Sequence, residues 1–507
     1  MKKVTYFTLL FFIVSNTIFS QSIDDSFSQK KMHKDLEIFK AIRLKANSGL
    51  YKYRTKQKID SIYTWADREI DVSSTYRGFY NIICQLTDFE GSLHNNTNFP
   101  EKLRQSLKNE TSGYFPYPVK WIEGKWIINY EKGEIPLGSE IISINNEKIE
   151  TIIKNLYKYY TTDGVNITGK AIGINYRFSK YYRFHYGLQD SYKVSFKSKK
   201  TNQIQQITLK SIGFIDYYKN FNNRYSKPFD ESTYQDFAIG EKYNFKKIDS
   251  TTSTLTVNSF AIGGNAESPE HHTFVKYLDS VFIKVKESNI KNLIVDIRRN
   301  GGGTDPNDLV IYEYLTDRNF SENKTAWVSF QKIPFLRYIE TKVPSFLRPL
   351  GVIKYNKYFK QEFPIDKDGK FYQGPLSEDH TIRKPNKNAF TANIYLLISP
   401  EVASAGSNFG SLVASNKNTV IIGEESAGGF YGHNGHTSIS YILPKSKIKT
   451  TFSVVNLEQY VIEKTNQIHN RGIIPDIIVS QSFEDYLEHK DTQMNYVLDL
   501  INKNNKK

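Results

Sequence analysis

The sequence predicts an α/β fold that follows a helical region and a β-rich middle segment, and three observations carry that prediction. From Thr252 onward, mostly apolar strands alternate with amphipathic helices, the pattern of a sheet covered by helices. From about Ser26 to Leu86, apolar residues recur at helical spacing and proline is absent. After Thr111 the chain changes to short alternating runs.

The chain opens with Lys2 and Lys3, an apolar run from Tyr6 to Val14, and small or polar residues from Ser15 to Gln21. That order predicts a signal peptide over residues 1–20, cleaved after Ser20, because the apolar run is too short to span a bilayer comfortably. No cysteine stands at the cleavage point to carry a lipid, and no later window resembles a membrane span. The expected product is an exported protein, periplasmic or secreted, with no stable membrane anchor after cleavage.

Residues 21–110 form the expected helical region, with Leu36, Phe39, Ile42 and Leu44, then Ile59, Ile62, Trp65 and Ile70, on its apolar faces. The polar, glycine-containing stretch Asp88–Thr97 ends it. Cys84, the only cysteine, lies in an apolar helical pattern and is expected buried; a single thiol allows no intramolecular disulfide.

Residues 111–212 read as a β-rich domain, with strands at Trp121-Ile122, Lys125–Tyr130, Ser139–Asn145, Tyr192–Phe196 and Ile204–Leu209. The string Leu137–Ile149 combines a glycine turn, a buried strand, an Asn-Asn turn and a helix starting near Glu150. Residues 213–250, rich in Tyr, Asn and Lys, read as a linker or insertion.

Residues 251–490 form the α/β core. Strands are expected at Leu255–Phe260, Asn292–Ile297, Ile394–Ile398 and Thr419–Ile422, and helices at Phe274–Val285, Pro306–Leu315 and Ala403–Ala414. Residues 320–390 are an insertion whose structure does not follow from the sequence, and residues 491–507 are a C-terminal tail.

Composition narrows the function. A chain of 507 residues with 39% hydrophobic and 14% aromatic content can bury a large core. Its net charge of +15 would suit nucleic acid, but 68 basic residues are dispersed among 53 acidic ones. The one basic run, Lys197–Lys200, reads as a solvated turn, so no nucleic-acid partner is expected.

Two strings carry chemistry. Asp296-Ile297-Arg298-Arg299-Asn300-Gly301-Gly302-Gly303 ends a buried strand, and its glycines let backbone N–H groups face a ligand. The Lys-Ser/Thr ending of a phosphate loop is missing, which leaves an oxyanion hole or a plain turn. Ser399–Phe409 follows another buried strand and opens a helix. Ser404 there is either a nucleophile near the positive end of the helix dipole or a simple helix cap. The adjacent His271 and His272 would face different directions on a helix. With no H-E-x-x-H and no cysteine cluster, neither a metal nor a cofactor is expected.

Taken in order, Asp-x-Arg-x-Asn-Gly-Gly-Gly, then Ala403-Ser404-Ala405 on a strand-to-helix turn, then Gly423-Glu424-Glu425-Ser426-Ala427-Gly428-Gly429, resemble the C-terminal-processing (tail-specific) serine peptidase family. Its tricorn-like and retinoid-binding-protein-like branches are included in that likeness. Leu443-Pro444-Lys445-Ser446 and Gly472-Ile473-Ile474-Pro475-Asp476 resemble further family strings, and Leu137–Ile149 resembles the second half of a PDZ domain.

The resemblance implies a crotonase/ClpP-like α/β peptidase core and a peptide or protein substrate, with the PDZ-like segment capturing it at a sheet edge. It implies Ser404 as nucleophile and the N–H groups of Ala405 and Gly302 as oxyanion donors, with Gly303 a close competitor. The processing branch has a Lys base where this chain has Gly429. The tricorn-like branch takes a His from its N-terminal part, and His94 occupies that region; His433 and His436, in the loop after Gly429, are the competing pocket histidines. The residue orienting the base is open, since only His469 and Glu463 lie near the family's Glu. The expected function is therefore a serine endopeptidase, with a catalytically weak or inactive peptide- or apolar-ligand-binding module as the alternative.

Overall fold

The computed structural model describes residues 22–226, 241–344 and 347–505. The expected signal peptide and residues 227–240 of the expected linker or insertion lie outside the described residues.

Three helices, Gln29–Ala46, Lys56–Val72 and Tyr76–Phe89, open the described chain. Thr55 and Thr75 cap the second and third by accepting from the N–H groups of Lys58 and Gly78. Their apolar faces share one core with the next domain, joining Leu36, Phe39 and Ile83 to Ile144, Phe178 and Tyr192. Cys84 is part of that core, and burial pushes its thiol up to about 12.

The β-rich domain is an antiparallel sheet in the order Val119–Ile122, Lys125–Ile128, Glu140–Ile144, Ser191–Lys197, Ile204–Lys210. Positive φ at Asn145 and Asn146 makes the expected Asn-Asn turn, and the helix Ile149–Leu156 follows it. A longer helix, Thr168–Tyr186, packs on the edge strand Val119–Ile122, where the Trp121 N–H donates to Asn175 Oδ1 at 2.7 Å. The helix Phe214–Asn222 closes this unit, so the start of residues 213–250 is folded and is no bare linker.

The central sheet of the α/β core runs Ile477–Ile478, Thr419–Gly423, Asn393–Ile398, Asn292–Asp296, Thr252–Val257, Tyr243–Lys247. All pairs are parallel except the last, an antiparallel edge. Alternation sends Leu293, Val295 and Leu396 to one face, against Phe274, Leu278 and Phe409 of the helices Pro269–Glu287 and Ala405–Ala414. Ile294, Leu397 and Ile422 face the other way, onto Val497 and Ile501 of the helix Thr492–Asn504.

Two segments differ from expectation. Residues 491–507, expected as a tail, supply that covering helix: Val497 and Ile501 are one helical turn apart and close the second face of the sheet. Residues 320–390 are built into a second sheet. Their strand Asn323–Val328 pairs with Lys449–Gln459, which also pairs with Asn434–Ile442 and, from the N-terminal region, with Asn96–Asn98. The helical region is further tied down by Asp35, which accepts from the N–H groups of Lys445 and Ser446 and from Ser446 Oγ.

Candidate active site

The strand Asn393–Ile398 delivers the chain to the sharp turn at Ser404, and the helix Ala405–Ala414 leaves from it. Ser404 takes φ 53° and ψ −131°, a conformation an L-residue holds only under constraint. The constraint is local: Ala403 N–H donates to the Asn300 carbonyl at 3.2 Å, and Gly406 N–H to the Ala403 carbonyl at 2.9 Å. Ser407 Oγ donates to the Ser404 carbonyl at 2.8 Å. Ser404 occupies the helix N-cap, but its hydroxyl makes no capping bond. Instead its Oγ lies 3.3 Å from Nε2 of His94.

The glycine string is folded against this turn. At Gly302, φ is +106°, and a Cβ would sit 2.7 Å from the Ser404 Cβ. At Gly303 a Cβ would meet the Phe260 backbone at 2.0 Å. The Gly302 N–H, the first expectation for an oxyanion donor, already donates to Asn300 Oδ1 at 2.9 Å. The Gly303 N–H meets no acceptor among the described residues, and Gly303 lines one cavity with Ser404 and Ala405. The Ala405 N–H, first of the helix, is likewise without an acceptor there.

Arg298 of the Asp-x-Arg string is structural. It is buried, and its guanidinium is forked between Asp296 (2.7 Å) and Asp491 (2.6 Å), the cap of the last helix. Both partners keep it charged against the pull of burial.

His94 arrives from the N-terminal region on the turn before the strand Asn96–Asn98. Asp163 positions that turn: one carboxylate oxygen accepts from the Leu93 N–H at 3.0 Å, the other from the Gly429 N–H at 3.0 Å. The site that would hold a Lys in the processing branch is thus occupied by a glycine whose N–H anchors the histidine loop. Burial raises Asp163 to about 7, with the two N–H donors and Lys52 opposing it.

Burial lowers His94 to about 4, with the Asn434 backbone opposing and His436 adding to the drop. Its Nδ1 is buried and has no hydrogen bond among the described residues. Glu463 is exposed and His469 stacks on Tyr431 at 4.1 Å, so neither orients the ring.

His433 lies beside His94, with ring centroids 5.5 Å apart, and its Nδ1 is 3.4 Å from Gln459 Nε2. Burial drives it well below the ordinary imidazole range. His436 reaches Glu322 and Asp379, each 3.7 Å from its Nε2. All three histidines line the cavity of about 230 Å³ beside Ser404, together with Asp305, Asp308 and Glu322. These acids and Asp163 were not singled out in the sequence. Asp305 and Asp308 follow the glycine string directly and were within reach of a reading; Glu322 and Asp163 carry no local signal.

Residues 252–479 match the family model described as Peptidase family S41, and residues 111–220 the one described as PDZ domain. No curated protein matches the sequence. Among solved structures, mature CPAF complexed with lactacystin superposes with a TM-score of 0.57 at 14% identity, covering 94% of this chain and 99% of that one. A CPAF mutant gives 0.58 at 13%, covering 91% and 95%. At that identity the likeness is one of fold.

Proposed function

We propose that this chain, a serine-type peptidase whose catalytic unit is a family S41 domain joined to a PDZ domain, cleaves peptide bonds with Ser404 as nucleophile and His94 as base. The observation that carries the reading is the 3.3 Å separation of His94 Nε2 and Ser404 Oγ. A ring held near 4 is neutral at physiological pH and can accept the hydroxyl proton.

In this reading Oγ attacks the substrate carbonyl as its proton passes to Nε2. The N–H groups of Ala405 and Gly303 receive the oxyanion, because that of Gly302 is engaged by Asn300. The imidazolium then protonates the departing amine, and water, deprotonated by the same ring, releases the acyl group from Ser404. With no acid on Nδ1, the ring is oriented by its packing and by the Asp163 clamp on its loop.

The PDZ domain would deliver an extended peptide by capturing it at a sheet edge. Export through the signal peptide at residues 1–20 would place the enzyme in the periplasm or outside the cell. No helix among the described residues is long and apolar enough to cross a membrane. The family leaves the ligand-binding alternative unfavoured.

A fluorophosphonate probe tests the assignment. Wild type should label covalently at Ser404, Ser404→Ala should not label, and His94→Ala should label at least about a hundredfold more slowly. Equal labelling of wild type and Ser404→Ala would remove Ser404; an unchanged rate in His94→Ala would remove His94.

A further inference from the structure

The Ser404 cavity also carries a group of side chains that the peptidase reading does not use. Asp305 and His436 are exposed at it, and Glu322 is buried between them and the core. One donor atom from each of the three lies within 4.8 Å of the other two. His436 is aimed there by a bulge in its strand, where the register with Lys449–Gln459 shifts between Gly435 and Ser438.

We propose that Asp305, Glu322 and His436 form a site for one divalent transition-metal ion, with zinc the best fit to the donor set.

Three features argue for it. The first is spacing: Nε2 of His436 is 3.7 Å from Glu322 Oε1, too far for a hydrogen bond. Two ligands bound at about 2.0–2.1 Å around a tetrahedral ion stand about 3.3 Å apart, so closing on an ion needs only a small movement. The second is the surroundings. Asp308 and Asn323 line the same cavity almost wholly buried, and the Oδ1 of each has no partner. A buried acceptor without a donor is costly, and water molecules bound to a metal ion would supply the donors.

The third is charge. Asp305, Asp308 and Glu322 bring three carboxyl groups into one cavity with His436. Asp379, 3.7 Å from the same imidazole nitrogen, adds a further acid, although Gln373 holds its Oδ2 at 2.5 Å. A lysine or arginine of a substrate could also answer the charge, by donating to the carboxylates and to the imidazole nitrogen. A metal ion differs in requiring the imidazole as a ligand. A zinc-type ion takes both nitrogen and oxygen donors.

The test is metal uptake by the untagged full chain, stripped with chelator and titrated with Zn²⁺ alone. Co²⁺ is added in a parallel titration as a spectroscopic probe. One equivalent should bind, with cobalt bands of a four- or five-coordinate site. His436→Ala and Glu322→Gln should each weaken binding at least about tenfold, and Asp305→Asn, at the exposed edge, should weaken it without disturbing the fold.

Folded wild type that takes up no ion overturns the proposal, as does uptake left unchanged by all three substitutions. Binding of a basic peptide, in place of metal, that depends on these acids but not on His436 also overturns it. Because uptake is read without turnover, its failure is distinct from a failure of the peptidase assignment.

Discussion

The lowered His94 makes a prediction about pH that separates a buried base from an ordinary one. An imidazole at its usual 6.5 would be only about one-tenth neutral at pH 5.5, whereas one at about 4 is about 97% neutral there. The rate of fluorophosphonate labelling of Ser404 should therefore be nearly equal at pH 5.5 and pH 8 and fall only near pH 4. The assay is the second-order labelling rate between pH 3.5 and 8.5, with Ser404→Ala as blank. An acid limb at or above pH 6.5 would refute the reasoning.

Stability cannot substitute for this measurement. A depressed His contributes nothing above its unfolded value and costs stability as pH falls from 6.5 towards 4, by up to about 3 kcal/mol. Asp163 and Glu90, both raised to about 7, run the other way: their penalty is full above 7 and is relieved as pH falls. The opposing slopes overlap and blur any melting curve.

Three further predictions concern the scaffold. Ser404→Gly should abolish labelling yet raise stability by about 1 kcal/mol, since glycine accepts φ 53° without strain; chemical denaturation reads this, and a loss of stability would contradict the strained turn. Asp163→Ala leaves the N–H groups of Leu93 and Gly429 without their acceptor, so the labelling rate should fall at least tenfold while Ser404 stays accessible. Arg298→Ala strands two carboxylates beside the sheet and should cost about 3–5 kcal/mol, which Arg298→Lys would not restore because the three donors of an ammonium cannot replace two bidentate pairs.

What the sequence revealed depended on how local the cause was. Strands such as Asn292–Asp296 and Asn393–Ile398 were legible because burial on both faces leaves a continuous apolar run. The turn at Ser404 and the glycine string were legible because close backbone approach demands small residues nearby in sequence. Pairing His94 with Ser404 depended on resemblance, since the two meet across 310 residues. The engagement of Gly302 by Asn300 Oδ1 is an Asx turn, a local pattern that an Asn before glycines permits but does not dictate. Asp163 carries no such local signal, because its two backbone partners come from opposite ends of the chain. Residues 320–390 hid their strand because a six-residue run such as Asn323–Val328 is marked as a strand only by its partner, Lys449–Gln459.

The pairing of Asn96–Asn98 with Thr451, Thr450 and Lys449 sets an order in time as well as in space. The segment that carries the base emerges early in synthesis, and the strand that receives it is among the last parts made. In the proposed mechanism the strand that follows His94 finds its partner only when Lys449–Gln459 has been made, so the meeting of Ser404 with its proposed base waits on a segment synthesised much later.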